Sequence, residues 1–254
     1  MYYESPPMNL TFTTISWLIF ASSVLQAGPS VWHDRVTAEF LRGELQGVTL
    51  SSEGEVSLAP ERSDVFSNEK VSMVWAMAVD SKGAVYAATG NDGLLFKIAG
   101  GNAEVVWDSK DPEIMSVAVD AKDNVYAAGS PSGQIYRVSP QGKAELFAET
   151  GQKYVWAMAI SPSGDIFAGT GPSGKLLKID TNKKISELYD SDDPHILALA
   201  LAKDGRLCAG TAGRGLVYQW DKGKISTAYD ANLGEIRCMV FDDSGHLYFG
   251  TASG

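Results

Sequence analysis

The sequence predicts an all-β chain made of one unit repeated at a near-constant interval, and three observations carry that reading. First, VWAMAVDSKGAVYAATGNDGLLFKI (74–98), IMSVAVDAKDNVYAAGSPSGQIYRV (114–138), VWAMAISPSGDIFAGTGPSGKLLKI (155–179) and ILALALAKDGRLCAGTAGRGLVYQW (196–220) are variants of one pattern. A fifth copy, IRCMVFDDSGHLYFGTASG, occupies 236–254. Second, the equivalent turn positions Gly83, Asp123, Gly164, Gly205 and Gly245 are spaced 40, 41, 41 and 40 residues apart. Third, each unit divides into four short runs of strand character, and self-similarity at such a period marks a repeat architecture.

Within a unit the first run is almost wholly apolar, as in Val74–Val79 and Ile196–Leu201. A strand covered on both faces reads this way. A tight turn follows, such as Asp80-Ser81-Lys82-Gly83. Its leading Asp or Ser bonds backbone amides, and its closing Gly accepts positive φ. Asp123 stands where the other copies have Gly, and Asp is among the residues that tolerate that conformation. The second run carries Tyr86, Tyr126, Phe167, Cys208 or Tyr248 followed by small residues. After a loop rich in Gly, Ser and Pro, the third run alternates in character. The fourth (Glu104–Trp107, Glu145–Phe147, Ile185–Tyr189, Ile225–Tyr229) closes the unit.

Four antiparallel strands graded from apolar to polar describe one blade of a β-propeller, with the first strand at the axis and the fourth at the rim. A β-sandwich needs no four-strand period and does not account for it. Residues 47–58 (GVTLSSEGEVSL) echo a first strand, turn and second strand, with Gly54 in the turn position. The prediction is four complete blades with a partial blade at each end. A blade lacking outer strands exposes sheet edges, so the natural protein is expected to be longer, with about six to eight blades.

Composition excludes more than it assigns. The formal charge is −10, from 31 acids against 21 bases, and Lys183-Lys184 is the only adjacent basic pair. Such a field repels polyanions, so nucleic acid is not expected as a partner. From Ser5 to Trp32 no Asp, Glu, Lys, Arg or His occurs, and Ile15–Leu25 is an apolar heart followed by Gln26-Ala27-Gly28-Pro29. Residues 1–27 thus suit a signal peptide cleaved near Ala27, or an uncleaved anchor, since no basic residue precedes Arg35. The apolar stretch is short for a membrane span. The expected organisation is a targeting segment at 1–27, a lead-in at 28–46 and the propeller at 47–254. The expected location is periplasmic or extracellular, without stable membrane insertion after cleavage. Cys208 and Cys238 are placed by the repeat on strands, where buried, reduced thiols are expected. No CxxC or Cys/His ligand spacing is present, and no cofactor is expected.

The run of apolar strand, D-x-x-G turn and aliphatic-Tyr with small residues resembles the NHL and SMP-30/gluconolactonase-like propellers. Asp120-Ala-Lys-Asp-Asn-Val-Tyr126-Ala-Ala is the copy nearest that pattern. The pattern is also similar to the sensor propellers of bacterial two-component regulators. The resemblance covers residues 47–254 and describes blade structure more than chemistry. NHL units usually carry Asp after the second strand, whereas this chain has Thr89, Gly129, Thr170 and Thr211 there.

Candidate chemistry is sparse. No G-x-S-x-G occurs, and His33, His195 and His246 are the only histidines. Asp192-Asp193 and Asp242-Asp243 are either calcium-binding pairs or solvated turn corners. One propeller face gathers the loops from strand four to the next strand one and from strand two to strand three. Those loops carry Lys153-Tyr154, Asp193-Pro194-His195 and Arg214, and the head of the first strand reads Trp75, Met115, Trp156, Leu197, Arg237. Trp75, Trp156, His195, Arg214 and Arg237 are therefore the candidate ligand-binding residues at the axial mouth. Inter-blade packing is the competing role for the two tryptophans, and a loop position for His195. The leading functional expectation is an exported, non-catalytic module binding a protein or small ligand. The alternative is a metal-dependent SMP-30/gluconolactonase-like hydrolase or lyase, against which the absence of acids in the first strands counts.

Overall fold

The computed structural model describes residues 45–51, 53–61, 64–69, 71–139 and 141–253. The expected targeting segment at 1–27 and most of the lead-in lie outside these residues. The chain divides into two compact units, Met1–Ser63 and Asp64–Gly254. In the first, β1 (Val48–Leu50) and β2 (Val56–Leu58) pair antiparallel, with Thr49 opposite Ser57. Gly54 has φ 84° in their connection, and Ser51 Oγ accepts from the amides of Glu53 and Glu55. The echo in 47–58 is thus a strand–turn–strand hairpin.

The second unit is all-β. The first blade is β3 (Val74–Val79), β4 (Val85–Thr89), β5 (Leu94–Ala99) and β6 (Asn102–Asp108). The second is β7 (Glu113–Val119), β8 (Val125–Ser130), β9 (Gln134–Val138) and β10 (Ala144–Glu149). The third is β11 (Tyr154–Ile160), β12 (Ile166–Gly171), β13 (Lys175–Ile179) and β14 (Ile185–Asp190). The fourth is β15 (His195–Leu201), β16 (Leu207–Ala212), β17 (Leu216–Asp221) and β18 (Lys224–Asp230), followed by the pair β19 (Glu235–Phe241) and β20 (Leu247–Ala252). Within each blade every neighbouring pair is antiparallel and sequential in the chain, and each first strand packs against the first strand of the next blade. This is the predicted β-propeller arrangement of four complete blades, with two further strands beginning a fifth. A single bridge, Ala212 opposite Glu235, ties the fourth blade to β19.

Among the described residues the apolar surface is buried between successive blades. Tyr86, Leu95 and Val106 of the first meet Ile114, Val117, Val125 and Val138 of the second. Tyr126, Ile135 and Phe147 meet Val155, Ile166, Leu177 and Ile179. Phe167 and Leu176 meet Ile196, Leu207, Leu216 and Tyr218. Serial burial of this kind makes stability a sum of neighbour interfaces, as in repeat proteins generally. Where no further sheet is packed among the described residues, apolar side chains stand open, with Met77 68% and Val240 61% exposed.

The same geometry corrects one expectation. Both cysteines are free thiols, but only Cys208 is buried, in the layer with Val217 and Ile236. Cys238 occupies the position of Ala76 on the far face of β19, and that face is uncovered.

The turn chemistry follows the sequence. Gly83, Asp123, Gly164, Gly205 and Gly245 have φ of 80°, 61°, 91°, 91° and 85°. Asp80, Asp120 and Asp242 each accept two backbone amides with one oxygen. On the opposite face a second set of glycines is held harder. A Cβ on Gly93, Gly133, Gly174 or Gly215 would lie 2.0, 1.7, 1.9 or 1.9 Å from the carbonyl oxygen of Asp111, Gln152, Asp193 or Leu233. Each of those carbonyls belongs to the linker into the next blade.

Gly174→Ala is therefore expected to cost about 3 kcal/mol or more, since backbone must move to admit the methyl group. Gly223→Ala, at φ 83° with nothing within 4 Å of the added atom, is expected to cost about 1 kcal/mol. Denaturant midpoints of the two variants measure the contrast; equal losses contradict it.

Candidate functional site

The axial mouth is built by a feature the sequence reading did not foresee. Each first strand is bulged at one position. Val74 pairs with Thr89 and Ala76 with Ala88, so Trp75 has no ladder partner. The same shift skips Met115, Trp156, Leu197 and Arg237. A bulge adds one residue on one strand and re-aims its side chain. A position that differs between blades is thus released from strand pairing. The residue two places earlier heads the strand in four blades: Glu113, Tyr154, His195 and Glu235. These strands begin one residue sooner than expected, which puts two carboxylates at the mouth and removes the premise that the first strands carry no acid.

In the third blade the bulged residue joins a cluster. Tyr154 stacks on Trp156 with ring centroids 4.8 Å apart and planes at 25°. Trp156 Nε1–H donates to His195 Nδ1 at 3.0 Å, and His195 stands edge-on to the indole at 85°. An indole nitrogen only donates, so Nδ1 is the unprotonated nitrogen and Nε2 carries the hydrogen. Burial holds the His195 pKa below its ordinary value, and Glu235 partly opposes that. The space is provided by Gly171, where a Cβ would lie 2.1 Å from His195 Nδ1 and 2.6 Å from Trp156 Nε1. Trp75 repeats the arrangement, with its Nε1 2.6 Å from a Cβ built on Gly90. Glycine stands at the end of the second strand in the two blades whose bulge is tryptophan, as Gly171 closing β12 and Gly90 just after β4; Ser130, Ala212 and Ala252 hold that place beside Met115, Leu197 and Arg237.

Of the five candidates, the structure joins Trp156 and His195 by contact. Arg237 is paired with Glu235 at 2.5 Å, and Glu235 in turn acts on His195. Trp75 stands on the first blade and is 43% exposed. Arg214 is engaged away from this cluster. Its Nε donates to Asp193 Oδ1 at 2.9 Å, and its Nη2 lies 3.5 Å from Asp192 and 3.3 Å from the Tyr218 hydroxyl. Asp193 is only 3% exposed and also accepts from Thr211 Oγ1 at 2.7 Å. This buried carboxylate belongs to the loop framework. Thr89 and Thr170 likewise close their loops by bonding Leu94 and Lys175, which explains threonine where NHL units carry Asp. In the sequence Tyr154 reads only as a loop residue. Its stacking depends on the bulge, which leaves no mark in the periodicity.

Other groups are accounted for locally. Asp242 bonds the His246 ring at 2.9 Å, which holds its carboxyl below the usual range. Among the described residues no group of three or more His, Cys, Asp or Glu is placed to hold a metal ion. A cavity of about 270 Å³ lies on the opposite face, between the turns of the second and third blades, lined by Asp120, Tyr126, Phe147 and Ser163 among others.

No protein-family model and no curated protein matches the chain. Solved structures do match in shape. Virginiamycin B lyase from Staphylococcus aureus superposes with TM-score 0.62 at 15% identity, over 70% of this chain and 63% of that one. Nidogen in a complex with laminin gives 0.62 at 13%, over 70% and 72%. A gluconolactonase from Xanthomonas campestris gives 0.58 at 15%, over 70% of each chain. What these share with the chain is the fold. It is a β-propeller. The matched region spans less than two thirds of the lyase.

Two predictions test the cluster. Gly171→Ala is expected to expel the Trp156–His195 pair, costing about 1–3 kcal/mol as overpacking does, and to red-shift tryptophan emission. The neutral His195 contributes stability that is complete above the unfolded value of about pH 6.5 and is lost as pH falls through the lower folded value. The loss of melting temperature between pH 7 and pH 5 should therefore shrink in His195→Gln; an unchanged loss contradicts the assignment.

Proposed function

We propose that this chain is an exported, non-catalytic binding propeller whose ligand, a protein or a small molecule, docks on the axial face. The site is the mouth that carries Trp75, Trp156, His195 and Arg237, with Arg214 holding the adjoining loop. One observation supports it above the others: the bulge lifts Trp75, Met115, Trp156, Leu197 and Arg237 out of the ladder, four residue types at the same place on successive first strands. The turns on the opposite face repeat one small polar motif, whereas the mouth mixes aromatic, acidic and cationic groups. Variation on a rigid repeated scaffold is how specific sites are made. Trp156 is also pre-set by its stack and hydrogen bond, so little side-chain entropy remains to be lost on binding.

Lyase and gluconolactonase neighbours keep the enzymatic alternative in view. A metal-dependent hydrolase or lyase needs carboxylates and amides converging on one divalent ion. Here Glu113 and Glu235 come from the second and fifth blades, and Glu235 is already paired with Arg237. The binding reading needs no such convergence.

Immobilised glycan and peptide panels test it. Binders retained by the full chain should be lost, by about tenfold or more in affinity, in a Trp75→Ala, Trp156→Ala double variant that keeps its β circular dichroism. Unchanged retention by the folded double variant would make the tryptophans packing residues and the reading wrong.

A further inference from the structure

Building on the mouth as a binding site, we infer that the group it takes is a cation, an alkylammonium or guanidinium borne by the ligand. The protein itself supplies the first sign. Lys153 Nζ lies 5.1 Å above the Tyr154 ring, on the residue that stacks against Trp156. An ammonium over an aromatic face is attracted by the ring quadrupole, so this stack is already used as a cation platform by an exposed side chain of the linker. Among the described residues Lys153 has that ring and no carboxylate as its partner.

The charge inventory of the mouth agrees. Its other two cations are occupied, Arg237 by Glu235 and Arg214 by Asp193 and Asp192. His195 accepts the indole hydrogen on Nδ1 and is kept from protonating by burial, so it adds no charge near neutrality. Glu113, in contrast, heads β7 without an ion-pair partner among the described residues. By register Glu113 holds, relative to Trp75, the place that His195 holds relative to Trp156. One tryptophan is followed by an imidazole that accepts its indole hydrogen and the other by a carboxylate. An exposed indole followed in the ring by an unpaired carboxylate is the pairing that recognises ammonium and guanidinium groups. The formal charge of −10 draws cations toward such a mouth and repels anions. A neutral sugar gains from the rings but leaves the carboxylate without a counter-charge.

The experiment follows the indole Nε1 resonances of Trp75 and Trp156 in the full chain, assigned with Trp→Phe variants. The probes are choline, N-acetyl-lysine methylamide and N-acetyl-arginine methylamide, with glucose and acetate as neutral and anionic counterparts. Saturable shifts are expected with at least one cation, weakening as salt is raised from about 0.05 M to about 0.5 M. Glu113→Gln should weaken that binding about tenfold, as loss of a charged partner does. Lys153→Ala should strengthen it about threefold, because a competing cation leaves the Tyr154 face. The conservative Trp75→Phe should keep most of the affinity, which separates lost recognition from lost folding. Shifts with glucose or acetate but with no cation would overturn the cation assignment while leaving the mouth as a binding site. No shift with any probe would also overturn it, and the panels above then decide the binding reading alone. Equal affinity of wild type, Glu113→Gln and Lys153→Ala for a cation would sink it as well.

Discussion

A linker carbonyl packs against a loop glycine where no side chain fits, and the pitch of the propeller rests on that contact. At Gly93, Gly133, Gly174 and Gly215 the chain between strands two and three takes φ between 56° and 63°. There it meets the carbonyl of the residue that leads into the next blade. A side chain of any size is excluded from the contact. Because the contact recurs at the same place, every linker leaves its blade along the same path. The apolar layers then meet in the same register, Leu95 against Ile114, Ile135 against Val155, Leu176 against Ile196.

The linker's course also decides where functional groups go. Two residues after the constrained carbonyl comes the strand head, and two residues after that the bulge. The mouth is therefore indexed to the glycine contact. Where the loop needs further closure, the chain uses buried threonines at 89, 170 and 211. In the second blade that place is Gly129, and the Asp111 carboxylate lies where its Cβ would be, bonding Ser132 instead. The fourth blade recruits Asp193 and Arg214 to the same end. One local problem thus has three chemical solutions, and Arg214 carries a loop-closing load.

The blades were legible because their signals are local and periodic. Apolar first strands, D-x-x-G turns and small second strands each follow from one residue type in one conformation, so Asp123 at φ 61° could be read as a glycine substitute. The cluster of Tyr154, Trp156 and His195 was half legible. Trp156 and His195 stand out by chemistry, but they touch only because a bulge turns the indole toward the next blade over Gly171. A bulge conserves the strand's composition and shifts register without altering the pattern around it. Exposure of Cys238 was illegible for a different reason: its surroundings depend on which sheet lies over β19, and neighbouring residues in the sequence carry no trace of that.

The pairing of a bulged tryptophan with glycine at the end of the second strand constrains how such a mouth changes over generations. Exchanging Met115 for Leu or Arg leaves the ladder intact, since the position has no ladder partner, so these side chains are interchangeable in single steps. Gaining an indole is not. With Ser130 or Ala212 in place a tryptophan would collide with an existing β-carbon, and the glycine must come first, at a time when it confers nothing. Tryptophan at this site is thus reached through an unrewarded intermediate and, once acquired, locks the glycine behind it. Blades carrying the Trp–Gly pair are the ones in which the bulged side chain is hardest to exchange.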